Sequence, residues 1–386
     1  MNRSWKIAVV LGMALVATGA VQAQSATAAK PVVVAVVPAV DTTIIKIDGR
    51  MYSGLVVTGR DGAYSNRSII IPDAKLRFTI NPSKNITIVN RFDTKNAATN
   101  GFDYFYMDVK NYDGAKTGNV LRVGKIKADF GEETWTDNPV ENYLVSNSVA
   151  SVGGYDEGVN FRGAIPGSTP ATYSFALLNA SKDVAVSTKG MATATKVSVA
   201  PTKDLYFSGS YYQTGDLVAA DGKTVLSNDF KIAGLQNAPT GASSWQRNVW
   251  EADMRWNYGT NGQKAAIGGK FTTPFQFAAA FGQFNDQATG TATADRKGDY
   301  WYAEGQYNVD KKLYFATRYS VTSLKNGAKE KLADSPVAVS EYRRLSVGGG
   351  YRISAMTQLK LEVSSNDARD SKKMLNQYSL GIATKF

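Results

Sequence analysis

From Thr43 to the last residue the chain alternates apolar and polar positions in short runs broken by turn residues. Successive side chains on a strand point to opposite faces, so a period of two predicts strands with one apolar and one polar face. In 248–258, Trp250, Ala252, Met254, Trp256 and Tyr258 share one face, while Glu251, Asp253, Arg255 and Asn257 share the other. Leu359, Leu361 and Val363 oppose Lys360, Glu362 and Ser364 in the same way. At the end of the chain, Tyr378, Leu380, Ile382, Thr384 and Phe386 oppose Ser379, Gly381, Ala383 and Lys385.

The pattern predicts about 18 strands, at 44–57, 74–81, 85–92, 101–112, 119–127, 155–165, 172–179, 195–200, 205–214, 229–235, 248–258, 264–272, 275–284, 300–309, 313–323, 342–353, 358–364 and 375–386. Tight turns such as NPSK, PTKD and SAMT alternate with longer polar loops. That parity fails only between the tenth and twelfth strands, where 236–246 is long for a turn and 259–262 short for a loop, which makes 16 strands the alternative count. The fold class is all-β. Charges recur mid-strand opposite an apolar face, which suits lipid outside and water inside, whereas a dry sandwich has an apolar inner face. An open sheet edge in lipid would strand backbone hydrogen-bonding groups, so the strands are expected to close into a transmembrane antiparallel β-barrel. A soluble sandwich is the alternative. Tyr52, Tyr112, Tyr155, Trp256, Tyr258, Trp301, Tyr319 and Tyr351 lie near strand ends, where aromatic girdles form.

The N-terminus departs from this pattern. Arg3 and Lys6 precede an apolar core from Ile7 to Val21 and a small-residue exit at Ala23, followed by a polar stretch. Residues 1–23 are therefore read as a cleaved secretory signal peptide, 24–42 as an N-terminal linker and 43–386 as the barrel. Cleavage removes two of the 44 basic residues and none of the 33 acids, leaving a net charge of about +9. In an exported protein that excess fits anionic lipid or anionic solutes, and no nucleic-acid partner is expected. With no His and no Cys, the chain has no Ser-His-Asp triad, thiolate nucleophile, thiolate metal site or haem-attachment motif. The expectation is a non-enzyme with neither cofactor nor metal.

A barrel of this size leaves a water-filled channel lined by the polar faces. The pore-lining candidates are Lys46, Arg50, Lys75, Arg77, Arg91, Arg122, Arg162, Glu251, Asp253, Arg255, Arg318, Arg344, Arg352 and Lys360. Bases outnumber acids about two to one on these faces, which favours anions, although cross-strand ion pairs are expected to hold part of the set. The long connection 128–154 is the third external loop by strand order, and it carries Asp129, Glu132, Glu133, Asp137 and Glu141 with no Lys or Arg. Folded into the lumen, it would set an acidic constriction against a basic wall.

Arg122 to Gly131 reads RVGKIKADFG and Tyr155 to Gly163 reads YDEGVNFRG. These stretches resemble the phosphate-selective porin (O and P) family through Arg122, Gly124, Lys125, Lys127, Phe130, Gly131, Asp156, Gly158 and Val159, with Asp129 where that family usually has Pro. The resemblance implies a porin: a passive outer-membrane channel for small hydrophilic solutes or ions, leaning to anions, and by analogy a homotrimer. The last strand likewise resembles the terminal strand of outer-membrane barrels, which implies that Tyr378 and Phe386 form a signal read by the barrel-assembly machinery. The competing reading is a porin-like sheath around a partner such as a multihaem cytochrome.

Overall fold

The computed structural model describes residues 44–58, 68–94, 101–112, 114, 118–133, 138–180, 190–218, 225–257, 274–289, 295–369 and 373–386, without the side chains of 373–375. The expected signal peptide and linker, the strand expected at 264–272, Asp137 and Tyr258 lie outside the described residues. The strands all belong to the compact unit Asp41–Phe386.

In chain order the strands are β1 Ile44–Thr58, β2 Ser68–Ser83, β3 Ile86–Asp93, β4 Phe102–Lys110, β5 Val120–Lys127 and β6 Val152–Gly153. Next come β7 Tyr155–Ile165, β8 Ala171–Leu178, β9 Ala192–Val199, β10 Leu205–Gln213, β11 Lys231–Ile232 and β12 Ser244–Trp256. The last six are β13 Phe275–Thr289, β14 Arg296–Asn308, β15 Leu313–Leu324, β16 Glu341–Arg352, β17 Thr357–Ala368 and β18 Lys373–Lys385. Sixteen of them close a barrel in sequential order, every pair antiparallel, with β18 meeting β1, while β6 and β11 pair only with each other. The fold is a 16-stranded transmembrane β-barrel.

The expected count of about 18 is thus corrected to the alternative, 16, and both surplus strands fall where the parity failed. β12 pairs directly with β13, so the ladder closes without 264–272. Residues 229–235 supply only the two-residue β11, because the backbone turns back at Ala233 and Gly234, both at positive φ. Phe230, Ile232 and Leu235 are buried in a cluster inside the barrel. The apolar period there reported true burial, but against other loops and not against lipid.

Face assignment follows the alternation. On β17, Leu361 is 59% exposed and Glu362 is 0% exposed, so the apolar face looks out and the charged face in. Trp256 and Tyr351 look outward, as girdle residues should. Tyr52 and Tyr155 do not: Tyr52 is buried inside, and the Tyr155 hydroxyl accepts a hydrogen bond from Arg91 at 2.6 Å. Inner tyrosines take the space that glycines leave: Tyr314 lies over its cross-strand partner Gly350, and Tyr300 over Gly282.

Short connections (84–85, 166–170, 200–204, 309–312, 353–356) lie at the end that holds both termini of the barrel. The opposite end carries 59–67, 94–101, 128–154, 179–191, 214–243, 290–295, 325–340 and 369–372, so 128–154 is indeed the third loop on that side. The seam is made by β1 and β18, with Arg50 opposite Lys385 and Leu55 opposite Leu380. Beyond the strand, the Gly49 and Phe386 amides each donate to the other's carbonyl at 3.0 Å. A Cβ on Gly49 would lie 2.5 Å from the Phe386 ring, so the terminal ring needs a glycine beneath it. Gly49→Val is expected to lower the folded fraction in detergent refolding, read as heat-modifiable migration on SDS gels; an unchanged folded fraction would contradict this packing of the seam.

Candidate functional site

The third loop leaves the wall through Ile126 and Phe130, both at 0% exposure, and turns at Gly131, whose φ is +57°. A side chain at Gly131 would collide with the Glu251 carboxylate. The Gly131 amide donates to Ser210 at 3.0 Å, and Lys196 donates to the Gly131 carbonyl at 2.6 Å. Glu132 then pairs with Lys196 at 2.7 Å and accepts from the Tyr206 hydroxyl at 2.7 Å, while Arg255 donates to its carbonyl at 2.7 Å. Glu133 lies 3.9 Å from Arg318 and accepts from the Ser148 amide at 2.9 Å.

The rest of the loop crosses the interior bound to side chains of β13 to β17. Lys360 donates to the carbonyls of Pro139, Asn142 and Leu144, and Gln358 to Val140 at 2.8 Å. The Tyr314 hydroxyl donates to the Tyr143 carbonyl at 3.0 Å, and the Tyr143 hydroxyl donates to Gln276 at 2.8 Å. Arg318, itself paired with Glu304, donates to the Ser146 carbonyl at 2.9 Å, and Arg344 to the Asn147 carbonyl at 3.0 Å. In the reverse sense, Glu362 accepts from the Val145 and Ser146 amides at 2.5 and 2.8 Å. A loop backbone out of water must find partners, and here the wall's charged groups supply them.

Two further loops complete this filling. Arg247 is fully buried, pairs with Asp286 and donates to the carbonyls of Phe230 and Leu235 at 2.5 and 3.0 Å in the loop 214–243. Arg296 shares Asp286 and reaches Glu330 at 3.1 Å in the loop 325–340. Phe130, Val149, Phe230, Ile232, Trp245, Leu332 and Val339 join one buried cluster, with Tyr212 and Phe230 stacked at 3.9 Å. The half of the lumen facing β8 to β17 is therefore occupied by the chain itself.

The arc from β1 to β7 differs. Arg50 meets Asp73 at 2.7 Å, Arg77 meets Asp48 at 2.8 Å, and Lys75 and Arg91 share Asp103 at 2.5 and 2.9 Å. Arg122 and Arg162 share Asp108 at 2.7 and 3.3 Å. Arg91 stacks over Tyr104, and Arg122 over Tyr106, at 4.3 and 3.7 Å from the ring centroids. Lys46, Arg77 and Arg162 keep access to water, at 69%, 42% and 32% exposure, while Arg50, Lys75, Arg91 and Arg122 are held close to the wall. Among the described ion pairs of this arc, seven bases meet five carboxylates, counting Asp93 at 4.0 Å from Lys75; a sixth acid on the inner face, Asp156, is buried and accepts from the Ala180 amide, which leaves a surplus of one base.

The sequence-derived wall residues thus divide into two sets. Lys46, Arg50, Lys75, Arg77, Arg91, Arg122 and Arg162 lie on the water-accessible arc, where all are ion-paired. Asp253, Arg255, Arg318, Arg344 and Lys360 bind the loops, Glu251 lies against Gly131, and Arg352 donates to Asn308 at 2.9 Å and stacks on Tyr314. Of the loop acids, Glu132 and Glu133 press against wall bases instead of facing them across water. Asp129 lies 3.5 Å from Lys196, and the half-buried Glu141 donates its amide to the Asn138 carbonyl. Lys196, Arg247, Asp286 and Arg296 were not anticipated. Arg247, Asp286 and Arg296 would have followed from running the alternation of β12, β13 and β14 a few residues further, and Lys196 shares the face of Ser198.

Between the β1–β2 wall and the third loop lies a cavity of about 360 Å³, closed at one side by Asp334 and Arg344. Burial pushes the Asp334 carboxyl up, but the charge and hydrogen bonds of Arg344 outweigh it and hold it below its ordinary value of 3.8. A carboxyl depressed in the folded state stabilises above its unfolded pKa and ceases to as pH falls through the folded one. Below about pH 4 the loop 325–340 is therefore expected to exchange its amide hydrogens faster, and Asp334→Asn should show that exchange at neutral pH. Glu362→Ala should raise exchange at Val145 and Ser146 by about tenfold, about 1.4 kcal/mol, with little change at the β1–β18 seam; no change at these two amides would contradict the anchoring.

No protein-family profile matches the sequence, and no curated protein matches it. Solved structures do match in shape. The loop L8 deletion mutant of OmpT, an outer membrane protein of Vibrio cholerae, superposes with a TM-score of 0.58 at 10% identity, covering 90% of this chain and 100% of that one. An anion-selective porin from Comamonas acidovorans gives 0.57 at 10% identity over 89% of this chain and 100% of its own. The outer membrane channel DcaP of Acinetobacter baumannii gives 0.55 at 11% identity over 89% and 97%. At such identities the likeness is one of architecture: this chain has the closed-barrel fold of outer-membrane porins.

Proposed function

We propose that the protein is an outer-membrane porin, a passive channel for small hydrophilic solutes and ions with a lean toward anions. The observation that carries this reading is the division of the interior: loops fill the β8–β17 half, and the β1–β7 arc stays polar and water-accessible. The anion lean is supported by the seven bases that meet five carboxylates on that arc. The pore-lining role belongs mainly to Lys46, Arg77 and Arg162, and the constriction role to the stretch 138–148. The RVGKIKADFG and YDEGVNFRG stretches support a porin more than a phosphate preference, since Phe130, Gly131 and Gly158 are spent on packing. The same reading includes removal of the signal peptide 1–23, residence in the outer membrane, a homotrimeric assembly like the trimer form known for the Vibrio cholerae protein, and no enzymatic activity.

A barrel serving as a sheath for a multihaem cytochrome would need an interior free for the partner. The chain's own loops occupy the β8–β17 half of that space, so no observation favours the sheath.

Reconstitution in planar bilayers is expected to give discrete conductance steps with a reversal potential displaced toward anions, and Arg77→Glu with Arg162→Glu should move it toward cations. A silent barrel would sink the channel reading; steps with cation preference would sink only the anion lean. Tyr378 and Phe386 are read as the signal for the assembly machinery. Deleting Phe386 should cut insertion in cells several-fold and leave the conductance of inserted barrels unchanged, whereas normal insertion with altered conductance would reverse that assignment.

A further inference from the structure

The cavity between β1–β2 and the loops is not a simple ion path. Its wall holds two acids, Asp73 and Asp334, and one base, Arg344, and each acid is matched by an arginine. Asp73 takes two hydrogen bonds from Arg50 at 2.9 and 2.7 Å, and Asp334 takes the Arg344 guanidinium, so neither a fixed cation nor a fixed anion faces the space unmatched. What remains around them is amide and hydroxyl: Asn142, Asn147 and Gln377 with Ser146 and Ser148. The rest of the lining is the Tyr52 side chain and an aliphatic set, Val56, Ile70, Pro72, Pro139, Val145 and Ala333. Ligand sites run from about 300 to 1,000 Å³, so at about 360 Å³ the cavity suits one small solute.

Each component discriminates. A small ion gains nothing from charges already neutralised and loses hydration against the aliphatic patches. A purely apolar solute leaves the amides and ion-paired carboxylates short of hydrogen bonds. A neutral polyol has a C–H face for Pro72, Pro139 and Val145, and a rim of hydroxyls that can both donate and accept. Carboxylate oxygens held by arginine keep lone pairs for hydroxyl donors, because an ionised carboxylate offers about four acceptor positions.

We propose that this cavity is a binding subsite for neutral polyhydroxylated solutes of sugar size, set within the channel. The proposal rests on the channel reading, from which it specifies one class of solute. Asn147 is the exposed polar member, fixed through its Oδ1 by Asn142 at 3.1 Å, and Gln377 approaches from β18, fixed by Ser379 at 3.1 Å. Arg344 anchors Asn147 through its backbone carbonyl, which Asn147→Ala keeps, Asn142 keeps its bond to the Ser146 carbonyl, and the Gln377 side chain bonds Ser379 on its own strand, so both side chains can be changed without releasing the loop.

The full-length barrel is reconstituted in planar bilayers in KCl, and glucose, maltose or gluconate is added. Glucose and maltose are expected to interrupt the current in a concentration-dependent way, and gluconate less so at equal concentration. Asn147→Ala and Gln377→Met should each weaken the sugar block by about three- to tenfold, the loss of one hydrogen bond, with the KCl conductance confirming a folded barrel. Arg162→Gln should move the reversal potential and leave the sugar block in place. KCl conductance without sugar interruptions, or interruptions by gluconate as strong as those by maltose, would overturn the subsite and spare the channel. Absence of KCl conductance itself would overturn both. The wild-type comparison of maltose with gluconate decides the matter even if a variant fails to fold.

Discussion

The structure depends on one constraint: a loop brought inside a barrel must have its backbone hydrogen bonds satisfied by the wall. Buried amides and carbonyls without partners cost free energy comparable to a lost hydrogen bond. Here Lys360 alone serves three loop carbonyls, and Arg255, Arg318 and Arg344 serve one each. Acids do the converse, with Glu362 holding two loop amides. A charge buried without a partner would be costly, so the charged inner faces of β12 to β17 and the path of the loop require each other.

That mutual requirement produces an asymmetric lumen. Where the wall binds loops, its charges are consumed; from β1 to β7, arginines pair with aspartates on neighbouring strands, and Arg77 and Arg162 stay wet. The apolar cluster around Phe230, Ile232 and Trp245 then seals the three loops to one another, which keeps the division in place.

Much of this was legible in the sequence. Alternation alone placed Trp250, Glu251, Asp253 and Arg255 on their faces, located the seam at the two terminal strands, and marked 128–154 as the third loop. It failed where apolar residues found a partner other than lipid. Phe230 and Ile232 alternate with Asp229 and Lys231 as a membrane strand would, but with Leu235 they bury against loops that only the tertiary structure brings together. Tyr52 and Tyr155 failed for a related reason: position near a strand end does not say which face a tyrosine is on. The acids Glu132 and Glu133 were visible as a cluster, but their neighbours Lys196, Arg255 and Arg318 come from strands 60 or more residues away in the chain. No local pattern encodes that distance. The RVGKIKADFG stretch is a mixed case, since its Phe130 and Gly131 mark where the chain leaves the wall, a structural role behind a motif that resembles a transport family.

The chain contains no cysteine, so single cysteines can be placed at will and probed with charged thiol reagents during conductance. A cysteine at Thr79, on the inner face of β2, is expected to react and change the current, while one at Ser346, fully buried behind the third loop, stays silent. Reaction at Ser346 with silence at Thr79 would place the conducting path on the filled side and contradict the division of the lumen.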